Sequence, residues 1–139
     1  MLKKFIFRPG KYPFSIDFAL LFLRVCVGVL MLTHGLEKFS DLISGESISF
    51  PDPIGVGVTA SLALTVFAEM LCSIFLIFGF ATRLSAIPLL ITMLVAALII
   101  HADDPFSKME LPLLYASIYI VLVFTGAGSI SIDRIIYKK

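Results

Sequence analysis

The sequence predicts an all-α integral membrane protein, a four-helix bundle that forms one membrane domain over residues 1–139 with both termini cytoplasmic. Three observations carry that expectation. Hydrophobic residues make up 59% of the chain and charged residues 15%, against about 45–50% and about 25% in soluble domains. The mean hydropathy is +1.04, and the apolar residues gather into four runs of bilayer-crossing length, about 20 residues each. The lysines and arginines fall mainly on one side of those runs. With four spans, 139 residues leave no room for a soluble catalytic domain, so any chemistry lies in the bundle or at its surfaces. A formal net charge of +1 without a basic stripe excludes a nucleic-acid partner and leaves the lipid bilayer as the first one.

The opening "MLKKFIFRPGKYPF" is basic, as a signal peptide would be, but its apolar stretch is broken by Arg8, Pro9, Gly10, Lys11 and Pro13. It reads as a retained cytoplasmic arm. Span one runs over about 17–39, its start marked by Ser15 and Asp17 behind Pro13. The following "SDLISGESISFPDP" has the composition of a loop and is the longest connection. Span two covers about 55–80, and the short "GFATR" at its end leads into span three, about 82–101, so that these two are antiparallel neighbours. After "ADDPFSK", span four covers about 110–125, with Pro112 in its first turn, where a missing N–H is tolerated. Gly126 and Gly128 stop it, and Ile130 to Tyr137 can form an amphipathic surface turn.

Four spans place both termini and the span two–three turn on one side. That side holds Lys3, Lys4, Arg8, Lys11, Arg83, Arg134, Lys138 and Lys139, whereas the opposite loops hold only Lys38 and Lys108 among seven acids, from Glu37 and Glu46 to Asp104 and Glu110. Positive charge marks the cytoplasmic face.

Arg24 and Glu69 lie inside the apolar runs "FALLFLRVCVGVLMLTHG" and "ASLALTVFAEMLCSIFLIFGF". A charge at that depth costs about 2.5–3.5 kcal/mol on insertion scales and marks a candidate functional site. At about 1.5 Å per residue, both sit on the order of 10–15 Å from the inner ends of their spans, which lets them pair. Such a pair serves either as a register-setting ion pair or as the polar part of a ligand or proton site. Arg24, Gly28, Met31, Gly35 and Lys38 share one stripe of span one, and its glycines permit close approach of another backbone. His34 and His101 end spans one and three on the outer side, as interfacial anchors or as a polar vestibule. The candidate ligand or proton-site residues are therefore Arg24, Glu69, His34, Lys38 and His101. Cys26 and Cys72 form no CxxC pair, and no metal-ligand spacing, haem motif or iron–sulfur motif is present.

The succession "LRVCVGVLMLTHGLEKF", "AEMLCSIFLIFGFATRLSAIPL", an outer-end His101 and "GAGSISID" resembles the DoxX family of small bacterial four-helix membrane proteins, over roughly 18–133. The resemblance implies a bacterial cytoplasmic membrane location. Some relatives are linked to redox work, including a thiosulfate:quinone oxidoreductase subunit and an oxidative-stress complex. It thus implies a quinone- or small-molecule-binding component of a redox or stress-related assembly, with quinone as the cofactor and with a redox partner protein or a homo-oligomer. Electrons would come from that partner. Two other readings stand beside it: a small permease or proton-linked carrier, and a structural or assembly subunit without catalysis.

Overall fold

The computed structural model describes residues 6–45 and 47–138. Lys3, Lys4, Glu46 and Lys139, used above for orientation, lie outside the described residues. Among those described, four helices are long and apolar enough to cross a membrane: α1 (Phe14–Ile43), α2 (Val58–Phe78), α3 (Thr82–Ile100) and α4 (Phe106–Thr125). A short α5 (Ile132–Lys138) follows them. The helices run up and down, and the strongest packing is of α1 along α2 and of α3 along α4. Leu20, Val27, Met31, Leu76, Leu89, Tyr119 and Leu122 form the centre of the core. Phe18, Phe22, Leu64, Ile91, Leu98, Val121 and Phe124 point outward, as they must if lipid surrounds the bundle.

Span boundaries shift for local chemical reasons. Pro13, extended at φ −60° and ψ 154°, starts α1, and its carbonyl accepts from Ile16 and Asp17 N–H at 3.0 and 3.1 Å. Asp17 is not the cap. Its carboxylate instead accepts from the Ser129 N–H at 2.8 Å and from the Ser129 hydroxyl. Helix α2 begins at Val58, not near Gly55, because Gly55 and Gly57 have φ of +71° and +101°. Helix α4 starts at Phe106 behind Pro105, which places Pro112 in its second turn instead of its first.

Two helices carry a π-helical turn, Phe67–Cys72 within α2 and Ala96–Ile100 at the end of α3. Such turns widen the helix by one residue and recur at functional sites.

The connection between α2 and α3 is held from the far end of the chain. Gly79, at φ +65°, ends α2 while the Phe80 N–H donates to the Phe75 carbonyl at 2.8 Å. Ala81 also adopts the left-handed region, at φ 45°. Asp133 stabilises that conformation: its two carboxylate oxygens accept from the Ala81 N–H at 2.6 Å and the Thr82 N–H at 3.0 Å, capping α3. The Asp133 N–H donates back to the Gly79 carbonyl at 2.9 Å. Burial pushes the Asp133 carboxyl above the ordinary range, and the two amides and the Arg24 charge oppose that shift. Gly128 N–H donates to the Pro9 carbonyl at 2.8 Å, so the N-terminal arm and the tail meet at this end of the bundle. We refer to it as the terminal end and to the opposite one as the loop end.

Candidate functional site

The register of α1 against α2 decides which buried charges meet. Gly79 lies against the Arg24 guanidinium, Gly28 against Ile77 and the Ser73 carbonyl, and Gly35 against the backbone of Glu69 and Met70. Arg24 and Glu69 are thus separated along the bundle by about eleven residues of rise, on the order of 16 Å. They do not pair. The equal-depth argument fails because α1 continues past the α2–α3 turn, which sits level with Arg24. The arm and the tail occupy the space below that turn.

Arg24, 2% exposed, donates through Nη2 to the Ile130 carbonyl and is attracted by Asp133. Its partners therefore belong to the tail. Glu69 pairs instead with Lys38, Nζ to Oε2 at 2.5 Å, with side-chain exposures of 4% and 27%. Charge-assisted bonds between an ammonium and a carboxylate are among the stronger polar contacts. Lys38 reaches the carboxylate from the loop end, and the π-helical turn that carries Glu69 packs directly on Gly35.

This ion pair lies in the wall of a cavity of about 440 Å³ between α2, α3 and the loop before α2. Phe50, Pro51, Pro53 and Ile54 supply its cover, and Leu64, Phe67, Ile91 and Val95 its apolar sides. Leu64, Phe67 and Ile91 are 54%, 48% and 56% exposed, so the cavity adjoins the lipid-facing surface as well as the loop end. Ser61, Thr65 and Thr92 add hydroxyls, and His101 lies at the loop-end margin. The volume falls within the range of about 300–1,000 Å³ typical of small-molecule sites, which combine apolar walls with a few placed polar groups.

Of the five residues singled out in the sequence, Lys38, Glu69 and His101 come together here. Arg24 stands at the other end of the bundle, and His34 is exposed on the outer face of α1, outside the cavity wall. Among the described residues, no three His, Cys, Asp or Glu side chains are grouped to hold a metal ion. Cys26 and Cys72 are free thiols.

Asp52 was missed by the sequence reading. Its carboxylate accepts from the Val56 and Gly57 amides at 3.0 and 2.8 Å and from the Ser61 hydroxyl at 2.7 Å, latching the covering loop to the first turn of α2. An aspartate followed by Gly55, Gly57 and a helix is the available signal, since such side chains fold back on nearby amides. The donors, the Ser61 hydroxyl first, hold the Asp52 carboxyl below its ordinary range. A depressed carboxyl contributes stability that is complete above the unfolded value, about 3.9, and is lost as the pH falls through the folded one. Exchange at the Val56 and Gly57 amides, corrected for intrinsic rates, should therefore stay slow at neutral pH and quicken only in acid. Asp52→Ala should give the fast exchange at every pH.

Four apolar spans in an up-and-down bundle, with Asp17, Arg24, Glu69 and Asp133 buried among the described residues, define a small multi-pass membrane protein. The DoxX family model matches residues 19–102, more than half of the chain. The chain belongs to the DoxX family. A Haemophilus influenzae protein described as uncharacterized is 32% identical over 86% of this chain and 84% of its own length. "Putative oxidoreductase CatD" of Bacillus subtilis is 27% identical over 89% and 91%. "Uncharacterized membrane protein Rv3486" of Mycobacterium tuberculosis is 28% identical over 84% and 80%. No solved structure matches the chain.

Proposed function

We propose that this DoxX-family protein binds a small lipophilic carbonyl compound of the quinone class, taken from the bilayer, as a component of a redox or stress-related assembly. The observation that carries this reading is the Lys38–Glu69 pair in the wall of an otherwise apolar 440 Å³ cavity beside lipid-facing side chains. A lysine ammonium has three donors, and one is engaged by Glu69. The others suit a quinone carbonyl oxygen, while the Glu69 carboxylate suits the hydroxyl of the reduced form. The oxidoreductase designation of the Bacillus relative accords with this chemistry. A partner protein would supply electrons. The basic residues at the terminal end, Arg8, Lys11, Arg83, Arg134 and Lys138, support a bacterial cytoplasmic membrane placement with that end cytoplasmic.

The test is a titration of purified protein in lipid nanodiscs with a short-chain ubiquinone and with menadione. Saturable binding is expected, weakened about 10- to 100-fold in Lys38→Met and Glu69→Gln, the range that loss of a charge-assisted hydrogen bond of about 1.5–3 kcal/mol implies. Absence of saturable binding, or equal affinity in folded variants, rejects the reading and leaves the pair as a lock on helix register.

A further inference from the structure

We propose that His101 and Asp104 form the proton outlet of the cavity, exchanging protons between Glu69 and the water at the loop end. The proposal rests on the reading of Lys38 and Glu69 as the working pair of the cavity. His101 lines the same cavity and stands where α3 stops. Its Nδ1 lies 2.8 Å from Asp104 Oδ2, and Asp104 Oδ1 accepts from Lys108 at 3.2 Å. A carboxylate at Nδ1 favours the tautomer protonated there and leaves Nε2 as the basic nitrogen. The side chains of His101 and Asp104 are 31% and 34% exposed, so the two span the boundary between cavity wall and solvent. The backbone is fixed at the same point, because the His101 N–H donates to the Ala96 carbonyl at 3.0 Å and closes the π-helical turn.

The α1–α2 seam toward the terminal end is guarded by a buried positive charge. From Glu69 the α1–α2 seam leads inward past Ser73 to Arg24, buried at 2% exposure. A fixed positive charge on that line repels a migrating proton, the device by which some pores exclude protons. Among the described residues, the charged groups around His101 include Asp103, Asp104 and Lys108 on its own connection and the start of α4, with Lys38 and Glu69 across the cavity. The His101 ring and then Lys108 hold the Asp104 carboxyl below its ordinary range. Asp104 therefore stays charged and stabilises the imidazolium while the proton passes. The step is proton transfer alone: a proton first taken up by the Glu69 carboxylate passes through water to His101 Nε2, and the imidazolium returns one to bulk water.

The experiment follows the Glu69 carboxyl band by time-resolved infrared spectroscopy after a pH jump on reconstituted protein, the band being assigned by its disappearance in Glu69→Gln. In His101→Gln the response should slow by about 100-fold, the lower end of the range for a positioned acid–base group, while the midpoint of the titration stays near that of the wild type. Asp104→Asn, which keeps the shape of the contact, should slow it by a smaller factor. A role limited to packing would move the midpoint or the fold but leave the rate unchanged. Equal rates in folded wild type and both variants, or a Glu69 band that does not titrate, overturn the proposal. No quinone is present in this measurement, so a failure of quinone binding and a failure of the outlet are separate results.

Discussion

Gly79→Ala should lower stability by about 2–5 kcal/mol, the sum of a left-handed backbone penalty and an overpacking penalty. Gly79 has φ +65°, and a Cβ there would fall 1.5 Å from Arg24 Nη1, 2.6 Å from Cζ and 2.7 Å from the Ser131 Cβ. The guanidinium has little freedom to yield, because the Ile130 carbonyl accepts from Nη2 and the tail closes over it. Gly45→Ala supplies the control. Gly45 has φ +72° but nothing within 4 Å of its Cβ position, so it should lose only the backbone part, about 1–2 kcal/mol. Thermal unfolding in detergent, followed by the helical circular dichroism signal, measures both. In the Arg24→Ala background the guanidinium contact is gone and only the Ser131 Cβ contact remains, so Gly79→Ala should cost less there than in the wild type. Equal losses for Gly79→Ala and Gly45→Ala would show that the guanidinium moves aside freely.

The same contact explains where sequence reading succeeds and where it stops. Hydropathy and length place four spans within a few residues, since an apolar run of that length has few other stable homes. Glycine stripes on α1 announce a close helix partner, and the structure puts α2 against both Gly28 and Gly35. Register is another matter. The Arg24–Glu69 pairing assumed that span ends are level, whereas Asp133 and Ile130, more than a hundred residues from Arg24, occupy the space that breaks that assumption. The depth of a charge is legible in a sequence, but its partner across a bundle depends on long-range packing. Lys38 appeared on the correct stripe without being assigned to Glu69. Neither π-helical turn, Phe67–Cys72 or Ala96–Ile100, has a composition that announces it.

Gly35→Ala should weaken quinone binding by about tenfold or more, the equivalent of about 1.4 kcal/mol, with a stability loss of at most about 2 kcal/mol. Two effects oppose each other in the folded protein. Alanine is the better helix former by about 0.8–1.0 kcal/mol, and Gly35 lies within α1 without a positive φ. Against this, its Cβ would meet the carbonyl carbon and oxygen of Glu69 and the amide nitrogen of Met70 at 2.6, 2.7 and 2.6 Å. Those are backbone atoms of the π-helical turn, which cannot rotate away as a side-chain end can, so the helices must separate at a cost of about 1–3 kcal/mol. Helix propensity offsets only part of that cost, leaving a net loss of about 0–2 kcal/mol, and the displacement falls on the residue that holds the Lys38 ammonium at 2.5 Å. Gly28→Ala discriminates displacement from general loosening. There the closest atom is the flexible Ile77 Cγ1 at 2.7 Å, followed by the Ser73 carbonyl at 3.1 Å, so the seam can adjust a turn or two away from the cavity and binding should stay near wild type. Unfolding curves and quinone titrations on both variants separate the two outcomes. If Gly35→Ala binds as the wild type does while Gly28→Ala loses affinity, the close approach of α1 to the π-helical turn is not what positions Glu69.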